Sequence, residues 1–260
     1  MGTYVISDIH GRLDLFVRML EKIQFSENDR LYVLGDVADR GPDGVDLYLM
    51  LMMMDNVTFL LGNHDLMFIR AARKAAQMCY SPKALKSEEF GLWIMNGGSS
   101  TWNKYIRLPK ATRTAILHYI REAYLVIPSL AVGGHYFYLC HATHAERPVL
   151  SPLRWKDSSK EEVEHVVWER QYPDSEGRIF SYKRDYRELY NSYPRKTTMI
   201  FGHTPTISFK KPGNDERGRI WRGGKGHLID IDCGCAVYDE KGAMLGCLRL
   251  DDMREFYVHY

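Results

Sequence analysis

Three polar clusters that follow short apolar segments at nearly equal spacing are the feature that most constrains this chain. The clusters are Asp8 with His10, Asp36 with Asp39 and Arg40, and Asn63 with His64. Each begins where a predicted strand ends, and successive clusters are about one β-α-β repeat apart. Because parallel strands end at the same edge of a sheet, where open α/β proteins bind their ligands, we expect these side chains to meet.

Apolar periodicity predicts the elements that separate these clusters. Strands are predicted at residues 3–7, 30–34 and 57–61, and the helical spacing of apolar residues predicts a helix after each of them. Further strands are predicted at residues 124–127, 136–140, 198–201, 227–231, 244–250 and 255–259. The alternation of strands and helices in the first part of the chain predicts an α/β fold with parallel strands under helices.

Two histidines in the second part of the chain follow predicted strands in the same way. His141 comes directly after the strand at 136–140, and His203 comes just after the strand at 198–201. They complete a set of six candidate metal ligands, namely Asp8, His10, Asp36, Asn63, His141 and His203. Such carboxylate, imidazole and amide ligands suit Mn²⁺, Fe or Zn²⁺, and six exceed what one ion with an open position needs. Two metal ions are therefore predicted. Asp36, which lies near the middle of the six candidate ligands in sequence order, could bridge them.

Residues 81–123 and 209–227 stand apart from this pattern. The first segment has helical periodicity interrupted by proline and glycine, and it is interpreted as a helical insertion in a single domain that spans residues 1–260. The second segment is rich in glycine and basic residues. It is interpreted either as a solvated hairpin tip or as a rim that faces the substrate.

The overall composition gives little support to several classes of partner. The chain has 35 Lys and Arg residues against 33 Asp and Glu residues, a formal net charge of +2, so bulk charge gives no reason to expect nucleic acid or a membrane as a partner. No apolar run approaches the roughly 18 residues that span a bilayer. The 5 cysteines are irregularly spaced and indicate neither a disulfide framework nor a zinc knuckle. These features predict a cytoplasmic protein with reduced thiols and leave its oligomeric state open.

Six short motifs resemble those of a known family. They are Ser-Asp-Ile-His-Gly at 7–11, Gly-Asp-Val-Ala-Asp-Arg-Gly at 35–41, Gly-Asn-His-Asp at 62–65, Cys-His-Ala at 140–142, Val-Trp-Glu-Arg at 167–170 and Gly-His-Thr-Pro at 202–205. In this order they resemble the bacterial and phage members of the serine/threonine phosphoprotein phosphatases, within the calcineurin-like metallophosphoesterase superfamily. The resemblance implies an α/β fold with a central β-sandwich of mixed sheets, flanked by helices in four layers (α/β/β/α), and a site at one edge.

The same resemblance implies roles for the site residues. Asp8, His10 and Asp36 would hold one metal, and Asp36, Asn63, His141 and His203 would hold the other. His64 would act as a general acid oriented by Asp39, while Arg40 and Arg170 would bind phosphate oxygens. The implied function is a metal-dependent phosphomonoester hydrolase, a protein serine/threonine phosphatase whose residue preference stays open. In it a metal-bridging hydroxide would attack phosphorus in line.

Besides an RNA-end or cyclic-nucleotide phosphodiesterase, which the implied fold also permits, two alternatives stay open. The first is a diadenosine-tetraphosphate hydrolase of the same fold, which shares Gly-Asn-His-Asp and the metal ligands, although its second motif tends to lose the acid that here is Asp39. The second is a noncatalytic binding module, which would be expected to lose His64 or some of the ligands, whereas all are present here. The expected partner is a phosphorylated protein or a small phosphoester, and neither nucleic acid nor a membrane is expected.

Overall fold

The computed structural model describes residues 1–173, 179–180, 197–209, 217–237 and 240–260. The α-helices are α1 Leu13–Lys22, α2 Gly44–Met52, α3 Asn63–Gln77, α4 Glu88–Trp93, α5 Ser99–Tyr105, α6 Lys110–Arg121 and α7 Lys160–Trp168. The strands are β1 Thr3–Ile6, β2 Arg30–Val33, β3 Val57–Phe59, β4 Tyr124–Val132, β5 His135–Cys140, β6 Leu153–Arg154, β7 Tyr172–Pro173, β8 Ile179–Phe180, β9 Thr197–Phe201, β10 Trp221–Gly223, β11 Leu228–Asp230, β12 Met244–Arg249 and β13 Arg254–His259.

The first mixed sheet brings together the polar clusters of the first part of the chain. Its strand order is β13-β12-β1-β2-β3, in which β1, β2 and β3 run parallel to one another. The backbone N–H of Asp8 donates to Gly35 O at 3.2 Å, and that of His10 donates to Asp36 O at 2.9 Å. The segments that follow β1 and β2 are therefore joined side by side at one edge of the sheet.

The second mixed sheet supplies the later histidines to the same place. Its order is β10-β11-β9-β5-β4-β6, with β5 parallel to β9. His141 follows β5 directly, and its carbonyl oxygen accepts the N–H of Gly202, just after β9, at 2.7 Å. The two sheets meet where the Leu61 N–H, after β3, donates to the carbonyl oxygen of Tyr124 in β4 at 2.8 Å.

Burial of apolar side chains holds the layers together. One core contains side chains of both sheets, among them Val5, Leu34, Leu60, Phe137, Leu139, Ile200 and Ile229. A second core joins the sheets to helices and includes Ile6 and Val33 with Leu15, Phe16 and Met19 of α1. Each such side chain contributes roughly 1.5–3 kcal/mol when it is fully buried. The predicted α/β architecture, two mixed sheets flanked by helices, is confirmed.

Several element boundaries differ from the predictions. Strand β4 continues to Val132, beyond the predicted end at residue 127, because its second half pairs with β5 in a hairpin. Helix α3 begins at Asn63, so the third polar cluster lies in its first turn. Residues 84–121 contain helices α4 to α6 and a π-helical turn at Ile94–Gly98. The assignment of a single domain with an insertion at 81–123 stays a prediction.

The basic segment at 209–227 is described only in part. Its residues 210–216 lie outside the described residues. The following part forms β10, an edge strand antiparallel to β11. There Arg222 forms an ion pair with Glu255 at 2.8 Å, and the Arg219 guanidinium lies 5.0 Å from the ring centroid of Tyr257. Both arginines therefore lie against β13. Within the described part of the chain, no helix has the length and apolar character needed to cross a bilayer.

Candidate metal centre

Asp36 lies at the centre of the predicted ligands. Its Oδ2 is 3.5 Å from Nε2 of His10, and its Oδ1 is 3.5 Å from Nε2 of His141. On the first side, Asp8 Oδ1 lies 3.8 Å from His10 Nε2. On the second side, Asn63 Oδ1 lies 3.1 Å from His141 Nε2. The two oxygens of one carboxylate thus face two different sets of ligand atoms.

Two groups of side chains in the described residues could hold metal ions, and they share Asp36. One consists of His10, Asp36 and His64, and the other of Asp36, His141 and His203; within each group the ligand atoms lie within 4.8 Å of one another. All of these side chains are buried. Asp8 joins the assembly because its Oδ2 accepts the backbone N–H of His203 at 3.0 Å. The structure therefore brings all six predicted ligands to one edge of the two sheets.

Backbone carbonyl oxygens orient the three histidines of the predicted ligand set. The contacts are His10 Nδ1 to Ala38 O at 3.1 Å, His141 Nδ1 to Leu34 O at 2.7 Å and His203 Nε2 to Trp168 O at 3.3 Å. A carbonyl oxygen only accepts, so the contacting nitrogen of each ring carries the proton and the other nitrogen keeps its lone pair. Metal-binding histidines are held in this way in proteins.

The electrostatics of the centre fit metal cations. Burial, followed by the charge of Arg40, lowers the pKa of His10 well below its usual value, and burial likewise lowers the pKa of His203. Burial raises the pKa of Asp36 to about 8, and the nearby carboxylate of Asp8 adds to the shift. Neutral imidazoles are the form that binds metals, and buried carboxylates gain stability from an adjacent cation. The donor set therefore fits two divalent ions.

The backbone around the centre is strained. Six non-glycine residues there have φ between 48° and 72°, namely Asp8, His10, Asp36, Asp39, Arg40 and His203. Side chains with a Cβ rarely adopt this left-handed conformation, and proteins keep it where the surrounding structure holds it for a functional purpose. The turns after β1, β2 and β9 aim these side chains at a common point.

The remaining predicted site residues surround the ligands. His64 Nδ1 donates to Asp39 Oδ2 at 2.8 Å, and its Nε2 lies 3.2 Å from Nη2 of Arg40. The other terminal nitrogen of Arg40 is 3.4 Å from Nε2 of His10. Arg170 donates from Nη1 to the carbonyl oxygen of His203 at 2.8 Å. Both arginines are therefore placed beside the ligand cluster.

A pocket of about 240 Å³ opens over this arrangement. Its lining includes Asp8, Arg40, His64, Arg170, His203 and Asp232. The side chain of Asp232 also reaches the pocket, from the segment that follows β11. Burial, and then the charge of Asp8, raises the pKa of Asp232 well above its usual value. Its Oδ1 accepts the Gly234 N–H at 3.0 Å.

Asp65 organises the turns beneath the ligands, a role that the sequence reasoning missed. Its carboxylate accepts the backbone N–H groups of Asp36 at 2.8 Å, Val37 at 3.2 Å and Gly62 at 2.8 Å. The hydroxyl of Tyr48 also donates to it. An acidic residue in the first turn of a helix, shortly after a glycine, is a sequence signal that could have indicated its bonds to the turn.

A match to a family model over most of the chain identifies the family. The family model for calcineurin-like phosphoesterases matches residues 1–228. This match covers most of the chain and includes every predicted site residue. The chain belongs to the calcineurin-like phosphoesterase family.

Curated relatives match a part of this chain. "Bis(5'-nucleosyl)-tetraphosphatase, symmetrical" from Acidovorax sp. (strain JS42) is 47% identical over 74 residues, which cover 28% of this chain and 26% of the relative. The protein of the same name from Buchnera aphidicola subsp. Acyrthosiphon pisum (strain Tuc7) is 44% identical over 71 residues, 26% of each chain. The chain thus matches only about a quarter of the length of these relatives.

Two solved structures share the fold along the whole chain. A metallophosphoesterase from Sphaerobacter thermophilus is 15% identical with a TM-score of 0.54, covering 100% of this chain and 89% of that one. A protein serine/threonine phosphatase from Saccharomyces cerevisiae is 14% identical with a TM-score of 0.59, covering 100% of this chain and 80% of that one. At these identities the likeness shows the fold alone.

Proposed function

We propose that this chain is a hydrolase that uses two divalent metal ions to cleave a phosphate ester or phosphoanhydride. The proposed ligands are Asp8, His10 and Asp36 for one ion and Asp36, Asn63, His141 and His203 for the other. The observation that carries this proposal is the division of the two Asp36 oxygens between His10 and His141, each at 3.5 Å. When bound, two such ions would neutralise phosphate charge and activate water for in-line attack on phosphorus. The ligand set suits Mn²⁺, Fe or Zn²⁺.

The remaining residues act on the substrate itself. Arg40 and Arg170 bind phosphate oxygens through their guanidinium groups. His64 donates a proton to the departing oxygen, and Asp39 holds the ring by accepting from Nδ1. The pocket, at about 240 Å³, is smaller than the roughly 300–1,000 Å³ of sites that enclose a drug-sized ligand. It accommodates the reacting phosphate, and the rest of the substrate lies outside it.

The substrate class with the best support is a dinucleoside tetraphosphate. The curated relatives are named for symmetrical hydrolysis of such molecules, and they share 44% and 47% identity with segments of this chain. In symmetrical hydrolysis, water attacks one of the two central phosphorus atoms. The bond from that phosphorus to the central bridging oxygen breaks, and two nucleoside diphosphates are released.

A phosphorylated serine or threonine is a second candidate, because one observation favours it. The Asp39–His64 pair places an oriented proton donor at the site. An alkoxide leaving group requires protonation, whereas a nucleoside diphosphate leaves readily without it. The presence of Asp39 is therefore more useful to a phosphomonoesterase than to a tetraphosphate hydrolase.

Two parallel hydrolysis assays distinguish these substrates. Protein stripped with a chelator and resupplied with Mn²⁺ is incubated with diadenosine tetraphosphate and, separately, with a phosphoserine peptide. We expect nucleoside diphosphate from the dinucleotide, with turnover lost in His203→Asn and kept in His118→Asn, which alters an exposed histidine. Orthophosphate from the peptide alone would establish the second candidate. Hydrolysis of neither substrate would contradict the proposed function.

A further inference from the structure

The carboxylate of Asp39 is completely buried and accepts hydrogen bonds from three side chains. His64 Nδ1 and the indole Nε1 of Trp93 both donate to Oδ2, each at 2.8 Å. The hydroxyl of Thr101 donates to Oδ1 at 2.8 Å. A buried carboxylate needs such donors, and its lone pairs set the directions from which they approach. Two of the three donors come from α4 and α5, far from Asp39 in the sequence.

Packing prevents the Trp93 donor from moving. The indole is fully buried, stacks on the Phe68 ring at 5.1 Å between centroids and packs nearly perpendicular to the Phe90 ring at 5.9 Å. Gly98 lies directly against it, since a Cβ at that position would come within 2.4 Å of an indole carbon. These contacts with Phe68, Phe90 and Gly98 therefore fix the direction of the Trp93 Nε1–H bond.

Thr101 contacts both the other carboxylate oxygen of Asp39 and its backbone N–H. Its Oγ1 accepts the backbone N–H of Asp39 at 3.0 Å while donating to Oδ1. The next residue, Arg40, donates its backbone N–H to the carbonyl oxygen of Gly97 at 3.0 Å. The left-handed turn at residues 39–40 is thus held by backbone and side-chain contacts with residues 93–101.

We propose that Trp93 and Thr101 are positioning residues, which hold the Asp39 carboxylate so that it orients His64 for proton donation. Trp93 and His64 share Oδ2, so the indole occupies one lone pair of that oxygen and leaves the other directed at the imidazole. Thr101 fixes the plane of the carboxylate through Oδ1. Removing either donor lets Asp39 rotate, and the His64 ring then loses its fixed orientation.

Catalysis provides the first test of this inference, which rests on the proton-donor role of His64 in the proposed function. Trp93→Phe removes the indole donor and keeps an aromatic ring in the packing. We expect kcat to fall about tenfold on an alkyl phosphate and less than about threefold on an aryl phosphate, whose leaving group needs little protonation. KM and the number of bound metal ions should stay unchanged. Equal losses on both substrates would show a merely structural role and overturn the inference.

Matched variants make the comparison specific. Trp102→Phe alters the neighbouring indole of the same aromatic cluster, 6.3 Å from Trp93 between ring centroids, and should leave the alkyl-to-aryl ratio unchanged. Thr101→Val removes the hydroxyl at nearly constant shape and should repeat the selective loss, whereas Thr101→Ser should restore the ratio. The Thr101→Val and Thr101→Ser variants test the positioning role even if Trp93→Phe fails to fold.

A spectroscopic measurement tests the positioning without any substrate. Nitrogen-15 NMR of histidine-labelled protein, with His64 assigned through His64→Asn, reports how fast the Nδ1 proton exchanges with water. We expect slow exchange in the native chain and in Trp102→Phe, and faster exchange in Trp93→Phe and Thr101→Val. Unchanged exchange in the last two variants would overturn the inference. If proton exchange becomes faster in these variants but the native chain hydrolyses no phosphate compound, the positioning inference stands and only the proposed function is contradicted.

Discussion

Asp36 is the residue on which the proposed metal centre depends most. It is 2% exposed, and each of its carboxylate oxygens faces a different histidine. Burial is the main reason that the pKa of Asp36 rises to about 8. The neighbouring carboxylates of Asp8 and Asp65 add to this rise. A buried carboxylate next to other acids is costly unless a cation is close. Two cations, one on each side, would offset this cost.

Replacing Asp36 by asparagine tests its bridging position. The amide keeps the size of the side chain but removes its negative charge and one of its two ligand oxygens, so we expect Asp36→Asn to bind fewer than two metal ions. Elemental analysis of the purified variant after dialysis against Mn²⁺ measures the content. Asp14→Asn, which removes an exposed carboxylate on α1, is the control and should keep the native metal content. Two ions in Asp36→Asn would rule out the bridging assignment.

The proton-donor role proposed for His64 makes a separate prediction at the residue scale. His64→Asn should retain its metals, because the proposed ligand at this turn is the neighbouring Asn63. We expect turnover of an alkyl phosphate to fall by about 10²-fold or more, the usual contribution of a general acid, and turnover of an aryl phosphate to fall far less. Steady-state kinetics on both esters measures the difference. The same loss on both esters would argue against proton donation by His64.

At the scale of elements, the backbone of the turn from β3 into α3 lies close to the predicted ligand Asp36. A Cβ on Gly62 would lie 2.2 Å from Oδ1 of Asp36 and 2.4 Å from its backbone nitrogen, so only glycine fits. Asp65 fixes this turn by accepting the N–H groups of Gly62 and Asp36. The beginning of α3 and the carboxylate of Asp36 are therefore positioned together.

An alanine at position 62 should disturb the metal site through this turn. The clash in Gly62→Ala costs about 1–3 kcal/mol, as overpacking of a dense interior does, and we expect metal affinity to fall by about tenfold. Calorimetric titration with Mn²⁺ measures the affinity. The matched control is Gly91→Ala in α4, where the added methyl meets no atom within 4 Å and should stabilise the helix by about 0.5–1 kcal/mol. Native affinity in Gly62→Ala would contradict the packing argument.

The sequence predicts an element well when the residues that determine it are close together in the chain. The strands that carry Asp8, Asp36 and Asn63 are short and apolar, and the polar residue at each strand end indicated the shared edge without any tertiary information. The contacts of Trp93 and Thr101 with Asp39 join residues 54 and 62 positions apart, and no local pattern indicates them. Sequence reasoning therefore placed these side chains in an insertion and gave them no part in the site.

Strand β10 shows a second limit of the sequence. Its three residues alternate between buried Trp221, exposed Arg222 and buried Gly223. Alternation over three residues is too short to be distinguished from a loop, and the surrounding glycines and basic residues favoured a loop. Pairing with β11 fixes the strand, and that pairing is a tertiary contact.

At the scale of the whole molecule, the candidate centre lies where the two sheets meet. Asp8, Asp36 and Asn63 follow strands of the first sheet, whereas His141 and His203 follow strands of the second. Metal ions bound there would connect the sheets, and any ligand that binds only the folded state stabilises it by mass action.

The stability of the fold should consequently depend on metal. With Mn²⁺ at 100 times its dissociation constant, we expect each bound ion to add about 2.7 kcal/mol, which for one ion is equivalent to a rise in Tm of about 5–10 °C for a chain of this size. Differential scanning calorimetry of chelator-treated protein, with and without Mn²⁺, measures the shift. Asp14→Asn should show the full shift and Asp36→Asn a much smaller one. A Tm that does not respond to Mn²⁺ in the native chain would contradict metal binding across the two sheets.

A titration of activity against metal content shows whether a pair of metal ions shared by Asp36 carries out the hydrolysis. Chelator-treated protein receives Mn²⁺ in measured equivalents, and hydrolysis of an aryl phosphate is followed at each step together with the amount of metal bound. We predict no activity without metal and a rise that is complete only when about two ions are bound per chain. Full activity in the metal-free protein, or a maximum at a single ion, would contradict the two-metal centre.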